Sequence, residues 1–297
     1  MNLANMNKEL AYTTEDTMVP CSDGYMLAAS IYRPKINYKG AILIGPATGI
    51  KRQFYTGIAT YLAENGFGII TYDNRGIGES LHGNVKSNNA TLQSWGELDQ
   101  PAVLSSLIKC FPNTTYHLLG HSAGGQLFGL YPSAQQFSSV FNYACSSGSL
   151  KNMAKKHLGQ AHFFMNFFIP ISNALFGCTK ANWVGMGEPL PKGVAQQWQE
   201  WCNGSGYVKM GFEKTIDKHY FDSISLPSMW VNAADDSIAN NANVLEMINV
   251  FSNLSAERET LYPQNYGFKE IGHMKFFSRK SQPLWKLPLR WFEKHVE

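Results

Sequence analysis

The sequence predicts an α/β fold: a mainly parallel central sheet flanked by helices, with a helical insertion ahead of the last two strands. Three observations carry this. Apolar runs of four to seven residues alternate with stretches of helical spacing, the pattern of βαβ units. The alternation stops near Ser146 and resumes near Pro227. One apolar run, 116–119, leads directly into Gly120-His121-Ser122-Ala123-Gly124-Gly125, a tight turn with a serine at its apex.

The elements follow in order. Runs 17–21 and 25–32 flank Ser22-Asp23-Gly24, a turn signal, and read as a β-hairpin. Residues 41–45 form a short buried strand ending in Pro46-Ala47-Thr48-Gly49. Residues 54–64 have helical spacing through Phe54, Ile58, Tyr61 and Leu62. Residues 68–72 are the next strand and run into a turn-rich loop, 73–80. A helix over 95–110 precedes the strand that carries the serine turn. The run 126–130 is compatible with a helix, and 139–145 is a further strand. After the interruption come a strand at 227–232, a helix at 241–251, a strand at 259–263 and a last helix at 283–295. A structureless loop over 147–221 is implausible in a compact domain. That segment is rich in aromatics, including Phe163, Phe164, Phe167, Phe168, Trp198 and Trp201. It reads as a helical cap, with 1–146 and 222–297 forming the α/β core.

At 297 residues and 44 % hydrophobic composition, the chain can build a sizeable core. A formal net charge of +3 with scattered basic residues gives no reason to expect a nucleic-acid partner. The five cysteines are far apart and form no C-x-x-C pair. Neither a disulfide framework nor a zinc site is expected, and Cys145 reads as a buried small hydrophobe. Residues 1–17 are polar and lack the apolar core of a signal peptide. The most apolar stretch, 161–176, contains His162, Asn166, Pro170, Ser172 and Asn173 and is too short to span a bilayer. A cytoplasmic location is the expectation. Contact of 161–176 with a membrane surface is the weaker alternative, because the flanking Lys155, Lys156 and Lys180 are few.

Gly120-His121-Ser122-Ala123-Gly124 matches G-x-S-x-G in a strand-turn setting, the nucleophile elbow. A serine forced into a sharp turn presents its hydroxyl, and glycine two residues before and after removes side chains that would collide. A serine hydroxyl needs a base, and the base needs an orienting acid. In this arrangement the chain order is Ser, then Asp or Glu, then His. Asp217 and Asp222 precede the strand at 227–232, whereas Asp235 and Asp236 follow it directly, where open α/β sheets place functional groups. Asp236 is preferred as the acid, with Asp235 the alternative. Only His273 and His295 follow. His295, near the chain end in a basic helix, reads as solvated, which leaves His273 as base. His121 reads as structural. Acyl transfer also needs an oxyanion hole. The Ala123 N–H is one expected donor, and Thr48 supplies the other, with Ala47 the alternative.

These pieces together resemble the α/β-hydrolase superfamily over nearly the whole chain. The matching parts are Gly45-Pro46-Ala47-Thr48-Gly49, Tyr72-Asp73-Asn74-Arg75-Gly76-Ile77-Gly78-Glu79-Ser80, the serine elbow, Asp235-Asp236 and Gly272-His273. Within the superfamily the chain resembles an uncharacterised bacterial group of predicted serine hydrolases near the serine aminopeptidase and esterase-like branch. Pro46-Ala47-Thr48-Gly49 with Phe54-Tyr55, the elbow extended to Gln126, and Trp198-Gln199-Glu200-Trp201-Cys202 carry that likeness. Many relatives have His-Gly where this chain has Pro46-Ala47. The resemblance implies that Asp73 and Arg75 organise a loop. The expected function is a serine hydrolase cleaving an ester or related acyl bond of a hydrophobic small molecule, without metal or organic cofactor. An acyltransferase or thioesterase with the same triad, or a non-catalytic binding protein on this fold, are the alternatives.

Overall fold

The computed structural model describes residues 11–296; residues 1–10, most of the polar N-terminal stretch, and Glu297 lie outside the described residues. The predicted hairpin is β1 (Tyr12–Pro20) and β2 (Met26–Pro34), paired antiparallel across Cys21–Tyr25 contacts. β3 (Gly40–Gly45) is buried at every position. A 3-10 turn, Arg52–Tyr55, leads into α1 (Thr56–Glu64), and β4 (Phe67–Tyr72) is again wholly buried. Strands buried on both faces read as continuous apolar runs, which is why these two were visible without alternation. α2 (Leu92–Ser94) passes through a π-turn, Trp95–Asp99, into α3 (Gln100–Cys110). β5 (Tyr116–His121) carries the serine turn, and β6 (Phe137–Tyr143) follows.

Between β6 and the next sheet strand the chain is helical. α4 (Lys155–Phe163), a π-turn (Phe164–Phe168) and α5 (Ile169–Phe176) form one continuous helix. A two-residue strand pair, β7 (Cys178–Thr179) with β8 (Leu190–Pro191), then leads to α6 (Lys192–Asn203). That small pair is the one strand feature the sequence did not show here; two residues are too few to leave a period. β9 (Pro227–Ala233), α7 (Asn241–Ile248), β10 (Ser255–Leu261) and α8 (Gln282–Glu293) complete the fold.

The main sheet has eight strands in the order β1-β2-β4-β3-β5-β6-β9-β10. From β4 to β10 every pairing is parallel; only β1–β2 and β2–β4 are antiparallel. The C-terminal ends of β3, β5 and β9 therefore share one edge of the sheet. The loops that begin at Pro46, Ser122 and Ala234 emerge side by side.

Three expectations are corrected. The run 126–130 is not an α-helix but part of successive 3-10 turns, Ser122–Gly125, Phe128–Leu130 and Pro132–Gln136. Gly124, Gly125 and Gly129 are poor helix formers, and Pro132 ends the segment. β10 lies at 255–261 rather than 259–263. It is an edge strand whose first five residues are exposed, so its Ser-Ala-Glu-Arg-Glu start carries no apolar signal. His295 is half-buried, packs on Trp291 at 4.4 Å and bonds the Trp291 carbonyl through Nδ1, so it is not simply solvated.

Candidate active site

The serine turn is built by steric necessity. Ser122 has φ +49°, a left-handed backbone that an L-residue adopts only when its surroundings impose it. The surroundings here are glycines. A Cβ on Gly120 would lie 2.5 Å from the Gly125 Cα, and one on Gly124 would lie 2.0 Å from the Gly45 carbonyl oxygen. The collision avoided at Gly124 is thus with the neighbouring strand β3, not with a following helix. Close approach of the two backbones sets the serine beside the loop after β3.

Beyond β9 the two adjacent aspartates hold different parts of one loop. Asp236 Oδ2 lies 2.8 Å from His273 Nδ1, and its Oδ1 accepts from the N–H groups of Ile238 at 2.8 Å and Ala239 at 2.9 Å. Burial alone would raise the Asp236 pKa. The nearby His273 and the two backbone donors outweigh it and hold the carboxyl below its usual range. Asp235 instead accepts from the N–H groups of Ile271 at 2.9 Å and Gly272 at 3.0 Å. One carboxylate fixes the imidazole, the other the backbone that carries it.

His121 supplies a third hold. Its ring is fully buried, and burial, with the neighbouring His273 second, pushes its pKa down to about 3. It is therefore neutral and carries one ring proton. Nε2 lies 3.0 Å from the His273 carbonyl, which can only accept, so the proton sits on Nε2. Nδ1 then accepts from the Tyr55 hydroxyl at 2.8 Å, and that hydroxyl accepts from the Ala47 N–H at 2.8 Å. A single directed chain runs Ala47, Tyr55, His121, His273. It ties the loop after β3 to the loop bearing the histidine, through the residue next to Ser122.

That chain also uses up the Ala47 N–H. The Thr48 N–H has no partner among the described residues. Thr48, Ala47, Ser122 and His273 line one cavity of about 240 Å³, whose walls are mainly apolar. Ile50, Met186, Trp198, Cys202, Tyr207, Ile238 and Met274 supply the remaining bulk. Of the aromatics singled out in the insertion, Trp198 faces the cavity. Phe164 and Phe168 stand behind it: Phe164 meets Trp198 edge-on at 5.6 Å and stacks on Phe168 at 5.6 Å. No hydrogen bond joins Ser122 to His273 among the described residues; such contacts often tighten only around substrate.

The insertion is fastened to this site. The Glu188 N–H donates to the Gly49 carbonyl at 2.8 Å, and Lys51 pairs with Glu188 at 3.1 Å. Glu246 on α7 accepts from Ser147 Oγ at 2.7 Å, Asn152 Nδ2 at 2.7 Å and the Gly206 N–H at 2.9 Å. Asp73 and Arg75 stay outside the cavity. Asp73 is buried against Arg52 at 2.7 Å, and Arg75 is bound to Asp99 at 2.6 Å. Tyr55, Tyr207, Cys202 and Ile238 were not reachable as site residues from the sequence. Nothing local distinguishes them from core residues; only the fold brings them to the serine.

A family model described as the alpha/beta hydrolase fold matches residues 45–266. The chain belongs to the α/β-hydrolase fold family. No curated protein matches the sequence. Among solved structures, this α/β-hydrolase is similar to an esterase from Pyrococcus furiosus, with 13 % identity, TM-score 0.61, and 98 % of this chain and 96 % of that one covered. It is similar to a soluble variant of monoglyceride lipase from Saccharomyces cerevisiae in complex with a substrate analog, with 13 % identity, TM-score 0.63 and coverages of 100 % and 98 %. A thioesterase domain from the curacin biosynthetic pathway aligns with 14 % identity, TM-score 0.56 and coverages of 93 % and 99 %. At these identities the likeness is one of fold.

Proposed function

We propose that this α/β-hydrolase cleaves an ester or related acyl bond of a hydrophobic small molecule through an acyl-enzyme on Ser122. The observation that carries the reading is the 2.8 Å contact between Asp236 and His273 Nδ1, in a cavity shared with a serine held at positive φ. In this scheme Asp236 fixes the tautomer that leaves His273 Nε2 free to accept the Ser122 proton. Ser122 Oγ attacks the carbonyl carbon. The N–H groups of Ala123 and Thr48 stabilise the oxyanion. His273 then returns the proton to the leaving group, and a water activated by the same imidazole releases the acid. Residues 147–221 act as the cap that supplies the apolar wall and excludes bulk water. Esterase, lipase and thioesterase neighbours on the same fold support a hydrolytic reading.

The test is a panel of p-nitrophenyl esters of rising acyl length, run with and without alcohol acceptors. Wild type should turn over the esters, and Ser122→Ala should lose roughly 10⁴-fold or more in kcat. Product partitioning to the transesterified ester at low alcohol concentration would favour an acyltransferase. No turnover by wild type of any ester, thioester or anilide would defeat the proposal.

A further inference from the structure

From Phe163 onward the continuous helix of α4 and α5 is apolar on its outer side as well as its inner one. Every exposed residue between 163 and 175 is apolar: Phe163, Phe167, Pro170, Ile171, Ala174 and Leu175. The face turned to the protein buries Phe164, Met165 and Ile169 together with Ser172 and Asn173. Ser172 Oγ donates to the Cys178 carbonyl, and Asn173 Oδ1 accepts from Thr179 Oγ1. The two polar groups of α5 are thus spent internally, while Phe163, Phe167, Ile171 and Leu175 face outward. Phe163 is 58 % exposed, Phe167 59 %, Ile171 55 % and Leu175 71 %. Steps of four residues drift by about 40° each on an α-helix. The π-turn at Phe164–Phe168, wider than an α-turn, offsets part of that drift and keeps the four side chains in one stripe.

The stripe continues off the helix. Trp183, 62 % exposed, meets Phe176 edge-on at 5.1 Å, and exposed Val184 follows it. The next three residues, Gly185, Met186 and Gly187, line the cavity that contains Ser122. An apolar face that ends at a cavity mouth is larger than scattered exposed residues explain.

Charge says what covers it. From Lys151 to Gly187 there are four lysines and no Asp or Glu; Lys151 pairs with Glu246 at 3.3 Å, which leaves Lys155, Lys156 and Lys180 to flank the stripe. Lys155 and Lys156 stand exposed at the start of the helix, and Lys180 lies against the Phe176 ring at 5.9 Å. A second copy laid face to face would set this acid-free stretch, with its three flanking lysines, against its own like. An anionic lipid surface accepts both the apolar stripe and the basic flank, with Trp183 at headgroup depth. No helix among the described residues is long and apolar enough to cross a membrane, so the surface lies on the bilayer rather than through it. We propose that the face formed by Phe163, Phe167, Ile171, Leu175 and Trp183 docks on anionic lipid membranes and opens the cavity mouth toward them. The proposal takes up the membrane-surface alternative of the sequence reading, on the ground of exposure, which the sequence did not reveal.

The test needs no turnover, so it stands or falls apart from the hydrolase reading. The full chain with Ser122→Ala is sedimented with vesicles of phosphatidylcholine alone and of phosphatidylcholine with phosphatidylglycerol. Binding should favour the anionic vesicles and weaken with salt. Leu175→Glu, at the most exposed position of the stripe, should reduce partitioning by about tenfold or more, and Phe167→Glu/Ile171→Glu/Leu175→Glu should abolish it. Lys155→Gln/Lys156→Gln should lower the preference for anionic vesicles. Circular dichroism melts check that each variant is folded, and Leu175→Glu keeps the test decisive if the triple variant is not. Absence of binding to either vesicle, or equal binding by Leu175→Glu, overturns the proposal. So does a dimer that Leu175→Glu disperses in sedimentation velocity without vesicle binding, which would assign the face to a second copy.

Discussion

At the scale of single residues, three side chains were legible because chain order constrains them. Ser122 stands out through its flanking glycines, and Asp236 and His273 through the order acid, then histidine, behind later strands. Sequence alone left Asp235 beside Asp236. The separation is geometric: one carboxylate meets the imidazole, the other the N–H groups of Ile271 and Gly272. In the proposed mechanism Asp236→Asn should lower kcat by roughly 10³- to 10⁴-fold. Asp235→Asn, which loosens the loop but leaves the imidazole its partner, should cost about tenfold or less. Steady-state kinetics on one ester ranks them, and the reverse order would move the acid to Asp235. Tyr55 was not legible as a site residue, since its role exists only once His121 and Ala47 are brought to it. His121 carries a stability prediction. In the unfolded chain it takes a proton near its ordinary value of 6.5, whereas in the fold burial pushes that event to about 3. Between these values the unfolded state binds the extra proton, so stability rises with pH and is lost on acidification. One such group contributes a slope of about 1.4 kcal/mol per pH unit. His117, buried and also pushed down to about 3, contributes in the same direction. His121→Gln should therefore flatten, without abolishing, the fall in urea-unfolding free energy between about pH 6 and pH 4. An unchanged slope would show that His121 is not held neutral.

At the scale of elements, the buried strands were read correctly because both their faces are covered and a run of apolar residues suffices. β10 was displaced because an exposed edge strand has no such run. The turn after Ser122 was misread as helical. Its apolar residues Leu127, Phe128 and Leu130 suit a helix, but its glycines do not, and Gly124 must lie against the Gly45 carbonyl, a long-range contact. The helices of the insertion were anticipated only as a class. Which of their aromatics face the cavity depends on how α6 is seated. Trp198 does, and Phe164 and Phe168 brace it from behind. Each methylene of an acyl chain buried in such a pocket is worth about 0.8 kcal/mol, roughly a fourfold gain in kcat/KM until the space is filled. Trp198→Ala should flatten that dependence across acetyl to octanoyl esters. Phe168→Ala, one layer further out, should change it less. A wild-type chain-length profile in Trp198→Ala would place the acyl group elsewhere.

At the scale of the whole molecule, the parallel pairing of β3, β5, β6, β9 and β10 explains how residues 48, 122, 236 and 273 meet at all. Parallel strands deliver their following loops to one edge, and the last of these loops is fixed there by both aspartates and by His121. The fold family was legible in the sequence because its glycine turns are local. A helical cap over 147–221 was expected, but which of its residues reach the site was not legible, because that rests on contacts such as Gly49 with Glu188 and Glu246 with Ser147, Asn152 and Gly206. All of this is organised around one claim, that Ser122 is a nucleophile activated by His273. The direct measurement is reaction of the intact protein with a fluorophosphonate, followed by peptide mass spectrometry. The account predicts a single phosphonylated residue, Ser122, labelled quickly in wild type, slowly in His273→Gln, and not at all in Ser122→Ala. Labelling of Ser122→Ala at the wild-type rate, or a wild-type chain that resists the probe while hydrolysing esters, would contradict it.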